Sequence, residues 1–198
     1  MRQKERREQT MRTLLSTTKQ LIIEKGCNSI TLNDIIKQSG LSKGAIFHYV
    51  KSKDEIYTLV LLERLEEIND RFQKQVKKAK KDFEGPFHEI TKKMVSLNEP
   101  NEITNKILVY LLSKTGNPEV DYSLKEFYNQ SVFLSQQWIK IGKEHNVISE
   151  NIDTVKTGEL FVLLSLGLRI RAYLPTDEST FQDNDFVELI RNTLQPGD

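Results

Sequence analysis

Sulfur ligands are almost absent from this chain. Of 198 residues only Cys27 is a cysteine, so no disulfide can close within it and no cysteine-rich zinc site can form. Histidine is nearly as scarce: His48, His88 and His145 stand far apart, a poor basis for a metal centre. Nine glycines and five prolines are too few for a collagen-like or low-complexity chain, and 37% hydrophobic with 29% charged residues fits a globular one. The sequence also lacks the usual marks of a sheet: no alternating β-branched run and no Asn-Gly or Asp-Gly hairpin pair.

Long hydrophobic runs are missing too. The greasiest stretch, Leu160 to Leu168, is interrupted by Ser165 and Gly167 and flanked by Glu159 and Arg169. A bilayer span takes about 20 apolar residues, so a buried core helix is expected there and no membrane partner. No short apolar core follows the basic N-terminus, which argues against a secretory leader and for a reducing, cytoplasmic setting. Catalytic constellations are equally scarce: no G-x-S-x-G elbow, glycine-rich phosphate loop or H-E-x-x-H occurs. Glu66 and Glu67 are adjacent and face different parts of a helix surface, and His88-Glu89 and Glu144-His145 are isolated pairs. Neither an enzyme nor a cofactor is expected.

What is present is an uneven distribution of charge. Residues 1–53 carry eleven lysines and arginines against four acids, a net of +7, while the remaining 145 carry 18 against 24, a net of −6. The overall +1 conceals this split. A basic first quarter on an acidic body suggests that the first quarter meets a polyanion, although a basic run can also be merely solvated.

Helical periodicity runs through the chain. Met11, Leu14, Leu15, Thr18, Leu21 and Ile22 share one face of a first helix, which Gly26 should stop. Thr31 should cap a second helix with Asp34 three residues on, and Gly40 should end it. Ser42 caps a third, Lys43 to about Val50, and Ser52 to Glu55 opens a long fourth towards Lys81. The fourth carries Ile56, Leu59, Val60, Ile68, Phe72 and Val76 on one side and a basic end at Lys77, Lys78, Lys80 and Lys81. Further helices are expected from Gly85-Pro86 to about Leu97, from Pro100-Asn101 through Leu112, and from Pro118 to about His145. Two more should span about Asp153 to Tyr173 and run on from Asn184 or Asp185. The expected fold is all-α, with about nine helices.

The second and third helices, joined by Gly40-Leu41-Ser42, form a helix-turn-helix pattern. A major groove about 12 Å wide admits one α-helix. Lys43 at the helix start is able to reach a guanine edge or a phosphate. Gly44 and Ala45 allow close approach, with Ala45 suited to a thymine methyl, and His48 and Tyr49 offer hydrogen bonds. Thr31, Ser42 and Lys53 stand at helix N-termini, where hydroxyl, ammonium and free N–H groups favour a phosphate.

From Thr31 to Glu55, and in Glu24-Lys25-Gly26 before it, the sequence resembles the N-terminal signature of the tetracycline-repressor (TetR) family over about residues 10–60. Phe47 stands where that family usually has a tyrosine, so a hydroxyl contact to phosphate is missing here, and Tyr49-Val50 replaces a more usual His-Phe pair. Ile36 takes a position usually held by a small alanine. The resemblance implies a helix-turn-helix domain at 1–53 and a helical effector-binding and dimerisation domain at 54–198. It implies a homodimer on a palindromic double-stranded operator, and a repressor released by a small-molecule effector.

On that resemblance, the last two helices would pair between subunits through Leu160, Leu164, Leu168, Phe186, Ile190 and Leu194, although the same stripe fits the interior of one subunit. An effector pocket would draw on Phe72, Tyr110, Tyr128, Phe133, Trp138 and Phe161, with Asn105, Gln137 or Glu159 orienting the ligand; a filled core explains the same aromatics. A different class of function also fits the charge split, an all-helical interaction adaptor whose basic head binds an acidic partner or an anionic surface.

Overall fold

The computed structural model describes residues 3–78, 81–92, 94–175 and 180–195. Among the described residues there are nine α-helices, one short 3-10 turn at Met94–Ser96 and no strand. The helices are α1 (Gln3–Ser29), α2 (Leu32–Ser39), α3 (Lys43–Phe47), α4 (Lys53–Lys78), α5 (Glu84–Thr91), α6 (Ile103–Leu112), α7 (Pro118–Glu144), α8 (Thr154–Arg171) and α9 (Asp183–Leu194). The all-α expectation holds, and most boundaries fall within a few residues of the sequence signals. Lys80, expected in the basic end of α4, lies outside the described residues.

Three boundaries differ. α1 breaks at Gly26, whose φ of +74° and ψ of +159° suit only glycine, but helical residues resume beyond it as far as Ser29. α5 stops at Thr91 instead of near Leu97, because the tighter turn that follows carries Leu97 into the core. α6 starts only after Glu102, whose carboxylate is paired with Arg64 and Arg169.

The chain divides into two compact units, one containing residues up to 63 together with 103–127, the other 64–102 with 128 onward. In the first unit α1 buries Leu14, Leu15, Thr18, Leu21 and Ile22, the face its periodicity marks. Full burial of each such aliphatic side chain stabilises by about 1.5–3 kcal/mol. α6 buries Thr104, Asn105, Ile107, Leu108, Tyr110 and Leu111, covering most of its circumference, as an internal helix must. It packs against α1, and the first turns of α4 add Ile56, Tyr57, Val60 and Leu61 to this core.

The second unit is built around Phe87, Leu97, Ile139, Ile148, Phe161, Leu168, Phe186, Ile190 and Leu194. Gly158 lets α8 lie close to α7, since a Cβ there would stand 3.1 Å from the backbone nitrogen of Gln136. Glu102 accepts from Arg64 and lies 3.5 Å from Arg169, all three side chains being largely buried. Burial pushes the Arg169 guanidinium down to about 10, against the pull of Glu102 in the other direction.

Removing one partner of such a buried group leaves the other charge uncompensated. Glu102→Ala should therefore cost about 3 kcal/mol, read as a lower denaturant midpoint at unchanged slope. A loss below about 0.5 kcal/mol would show that Arg64 and Arg169 find water without it.

Candidate functional site

α2 and α3 have eight and five residues, so their ends need partners from outside the helical ladder. Thr31 and Asp34 form a reciprocal cap. The Asp34 N–H donates to Thr31 Oγ1 at 3.1 Å, and the Thr31 N–H donates to Asp34 Oδ2 at 2.8 Å. The Thr31 hydroxyl also donates to that carboxylate at 2.6 Å. This hydroxyl, then the backbone N–H, holds the Asp34 carboxyl below its ordinary range. Gly40 closes α2 in the left-handed region at φ +66°, where a side chain would be strained. Ser42 Oγ then accepts the Ala45 N–H at 3.2 Å and starts α3.

Ile35 and Ile46 anchor the two helices and are fully buried. That anchoring turns the rest of α3 outward. Ser42, Lys43, Gly44, Phe47 and His48 are exposed, and Ala45 and Tyr49 partly so. The Lys43 ammonium lies 5.6 Å from the Phe47 ring centroid, and the His48 and Tyr49 rings meet edge to face at 4.9 Å. Arg7 of α1, not singled out by sequence, lies 5.8 Å from the Tyr49 ring. Thr31 is exposed as well, so all nine of Thr31, Ser42, Lys43, Gly44, Ala45, Phe47, His48, Tyr49 and Lys53 are at least partly accessible.

Lys53 is different. Its ammonium donates to the carbonyls of Cys27 at 3.0 Å and Ile30 at 2.7 Å, just where α1 ends and the chain turns into α2. The Tyr110 ring centroid is 4.9 Å away and that of Tyr57 is 5.6 Å away. Burial, followed by the neighbouring Lys114, pulls the Lys53 pKa down. Two of its three donors are therefore committed inward, and the expected outward contact to a phosphate is not its arrangement here. Tyr57 also donates to the Cys27 carbonyl, at 3.0 Å. The Cys27 thiol, buried beneath this group, is raised by desolvation to about 11 and stays protonated at neutral pH.

α6 grips the same point. Asp54, beside Lys53, accepts from the Tyr110 hydroxyl at 2.8 Å and from the Lys114 ammonium at 2.9 Å. Tyr110 was expected in an effector pocket, and so was Asn105; both instead belong to the unit that holds the helix-turn-helix.

The second unit contains a cavity of about 70 Å³. Phe72, Trp138 and Phe161 line it as expected. Tyr128 is instead hydrogen-bonded at the surface to Glu159 at 2.6 Å, Phe133 is 52% exposed, and Gln137 is not on the wall. The wall includes Phe83, Phe87, Ile139, Ile148 and Ile190, which were not anticipated. Phe83 and Phe87 stand four apart across Gly85-Pro86 and stack at 4.9 Å, a spacing visible in the sequence that would have found them.

The stripe expected to join subunits is mostly internal. Leu168, Phe186, Ile190 and Leu194 are core residues of the subunit itself, and Leu164 packs against them. Only Leu160 among the six faces outward, at 48% exposure; Leu163 at 51%, Ile170 at 45% and Leu189 at 39% join it. On α9 the buried face is the more hydrophobic one in sequence, whereas α8 is apolar on several sides and its sequence marks no single face.

Residues 14–60 match the family model described as bacterial regulatory proteins, tetR family. The chain is 23% identical over 163 residues to the HTH-type transcriptional regulator UidR of Escherichia coli, covering 80% of this chain and 79% of that protein. A TetR-family regulator structure from Syntrophomonas wolfei aligns with a TM-score of 0.64 at 19% identity, over 92% of this chain and 91% of that one. Reduced NemR of E. coli aligns with a TM-score of 0.67 at 16% identity, over 96% and 100%.

Two substitutions separate structural from contact roles in the head. Thr31→Ala removes the hydroxyl that depresses Asp34, so the Asp34 carboxyl, followed by NMR titration, should move up towards its ordinary range. The cap's contribution is present at neutral pH and fades as pH falls through the depressed value, and the variant should lose that dependence. Lys53→Met keeps the aliphatic stem but leaves the α1 carbonyls without their charged donor, and should cost about 1–2 kcal/mol of stability. Unchanged stability with DNA affinity lowered uniformly would identify Lys53 as a phosphate contact instead.

Proposed function

We propose that the chain, whose residues 14–60 match the tetR family of bacterial regulatory proteins, is a homodimeric repressor that leaves a palindromic operator when a small molecule binds. The observation that carries the DNA-reading part is α3. It is capped by Ser42, anchored by buried Ile46, and turns Lys43, Gly44, Phe47 and His48 outward together. A five-residue helix so exposed fits a major groove, with Lys43 at its N-terminal end for a guanine edge or phosphate and Ala45 for a thymine methyl. Thr31 and Ser42 supply phosphate contacts at flanking helix starts. Tyr49 reaches the same surface with Arg7 beside it. Functionally, 1–53 reads DNA and 54–198 binds effector and partner, and the reader is cytoplasmic.

Dimerisation is assigned to the outward apolar residues of α8 and α9, Leu160, Leu163, Ile170 and Leu189. On α8 these fall at i, i+3 and i+10, one helical face. Two such faces related by a twofold axis would present two copies of α3 to successive major grooves, which is why the operator should be a palindrome. The effector is assigned to the cavity lined by Phe72, Trp138 and Phe161. Among the described residues no helix is long and apolar enough to cross a membrane.

Selection of bound sequences from a random DNA library at near-physiological salt tests the reading. A recovered palindrome with half-sites about one helical turn apart is the expected result. Recovery of no motif by a folded protein would instead support the adaptor. Lys43→Ala should change the preferred bases within each half-site, by about 1–3 kcal/mol of discrimination at the affected position. Leu163→Glu should yield a folded monomer by light scattering; a persistent dimer would move the interface elsewhere.

A further inference from the structure

In the first unit, the starts of α4 and α7 border an open groove that their side chains do not fill. Glu119, Tyr122, Ser123 and Glu126 fall at i, i+3, i+4 and i+7 of α7, one helical face, and all four line it. Thr58, Leu59 and Leu62 of α4 line it as well. Its volume of about 550 Å³ is within the range of small-molecule clefts. Every lining residue belongs to the first unit, and none is shared with the cavity of the second.

Helices packed to exclude water present apolar stripes to each other. α7 instead presents two carboxylates, a phenol and a hydroxyl, and the fold leaves them over. Among the described residues neither Glu119 nor Glu126 has a cationic partner for its carboxylate. Tyr122 is 67% exposed. Ser123 is the opposite case: it is only 8% exposed, and its hydroxyl has no hydrogen-bond partner among the described residues. A buried helical hydroxyl can satisfy itself on the carbonyl four residues back, as Thr58 does on Asp54 at 3.0 Å. Ser123 does not, and its free hydroxyl stands on the groove wall, where a bound molecule would complete it.

Charge narrows what that molecule is. Four carboxylates stand on the wall against one lysine, Lys51. Asp54 is already bonded to Tyr110 and Lys114, and Glu55 accepts the Lys51 N–H at 2.6 Å. Glu119 and Glu126 are the uncommitted pair. They repel an anion and attract a cation, which the face of the Tyr122 ring attracts as well. Leu59 and Leu62, both half-buried, offer a surface for hydrocarbon.

We propose that this groove is a second small-molecule site and that it takes an organic cation. The ammonium is drawn to the Glu119–Glu126 face beside Tyr122, the apolar body lies on Leu59 and Leu62, and Ser123 completes the polar contacts. The site stands independently of the proposed function, since its occupancy is read without DNA.

Three probes share a phenethyl group and differ in charge at neutral pH: phenethylamine, phenethyl alcohol and hydrocinnamate. Titrated into the isotope-labelled whole protein and followed by NMR, the amine should shift the Tyr122 and Ser123 amide resonances saturably. The alcohol and the carboxylate should bind at those amides roughly tenfold more weakly, or worse. Glu119→Gln combined with Glu126→Gln keeps the shape of the groove and removes its uncommitted charge, so the amine should fall to the affinity of the alcohol. Equal or tighter binding of the alcohol or the carboxylate at these amides would overturn the proposal. So would amine-induced shifts confined to other parts of the chain, or an amine affinity untouched in the folded double variant. Shifts of the same amides on concentrating the protein alone would give the groove to another copy of the chain, which also overturns it. The probe series uses the unmodified chain and decides the matter even if the variant fails to fold.

Discussion

Helices of eight and five residues cannot support themselves in water, where isolated helices shorter than about 12–15 residues are marginal. This constraint governs the whole first unit. Propensity contributes little over so few residues, so α2 and α3 persist because their ends are closed and each has one side chain fully buried. Thr31 with Asp34, Gly40 and Ser42 close the ends; Ile35 and Ile46 supply the anchors. An arrangement of this kind leaves most of α3 free of internal duties. Its outer residues can then be selected for a partner without regard to folding, which is what a reading helix requires.

The caps hold α2 and α3, but α1 must also end in the correct place. Carbonyl groups at a helix C-terminus attract a cation, and Lys53, the first residue of α4, donates to two here, those of Cys27 in α1 and Ile30 just beyond it. Asp54, its neighbour, is gripped by Tyr110 and Lys114 of α6 and its extension. The foundation of the DNA-reading head therefore includes part of α4, all of α6 and the start of α7, well beyond residue 53. A division by function at 53/54 and a division by packing are different things, and only the second is visible in contacts.

Local features were the legible ones. The capping box at Thr31, the left-handed stop at Gly40, the Ser42 cap and the buried face of α1 depend on residues within a few positions of one another, and sequence spacing reports them directly. The exposure of most of α3 follows from the same local features. The inward bonds of Lys53 were not legible because their acceptors, the carbonyls of Cys27 and Ile30, are 26 and 23 residues away and are backbone atoms with no side-chain signature. Tyr110 and Asn105 look like pocket residues on any list of aromatics and amides, yet α6 is folded into the other unit. On α9, periodicity identified the more hydrophobic face; α8 is apolar on several sides, so the expected stripe mixed outward Leu160 with inward Leu168. Periodicity had no means of telling a face that meets its own core from one that meets a second subunit, because both are selected for the same apolar side chains.

In the proposed effector response α4 is the element to consider, because its sequence runs through both units. It contributes Phe72 and Val76 to the cavity wall and Lys53 and Asp54 to the anchor of the head. Lys53 and Phe72 both belong to the sequence of α4. That alone transmits nothing. A ligand bound equally well in two arrangements of α4 leaves their ratio unchanged, however tightly it binds. Lowering DNA affinity a hundredfold needs about 2.7 kcal/mol of preference for one arrangement, within the usual range of coupling energies. A wall of closely packed aromatic side chains is a suitable source, because a misfit of a fraction of an ångström against Phe72 forfeits a sizeable part of each contact. The same dependence limits the effector: a loosely fitting molecule would occupy the cavity without distinguishing the two arrangements.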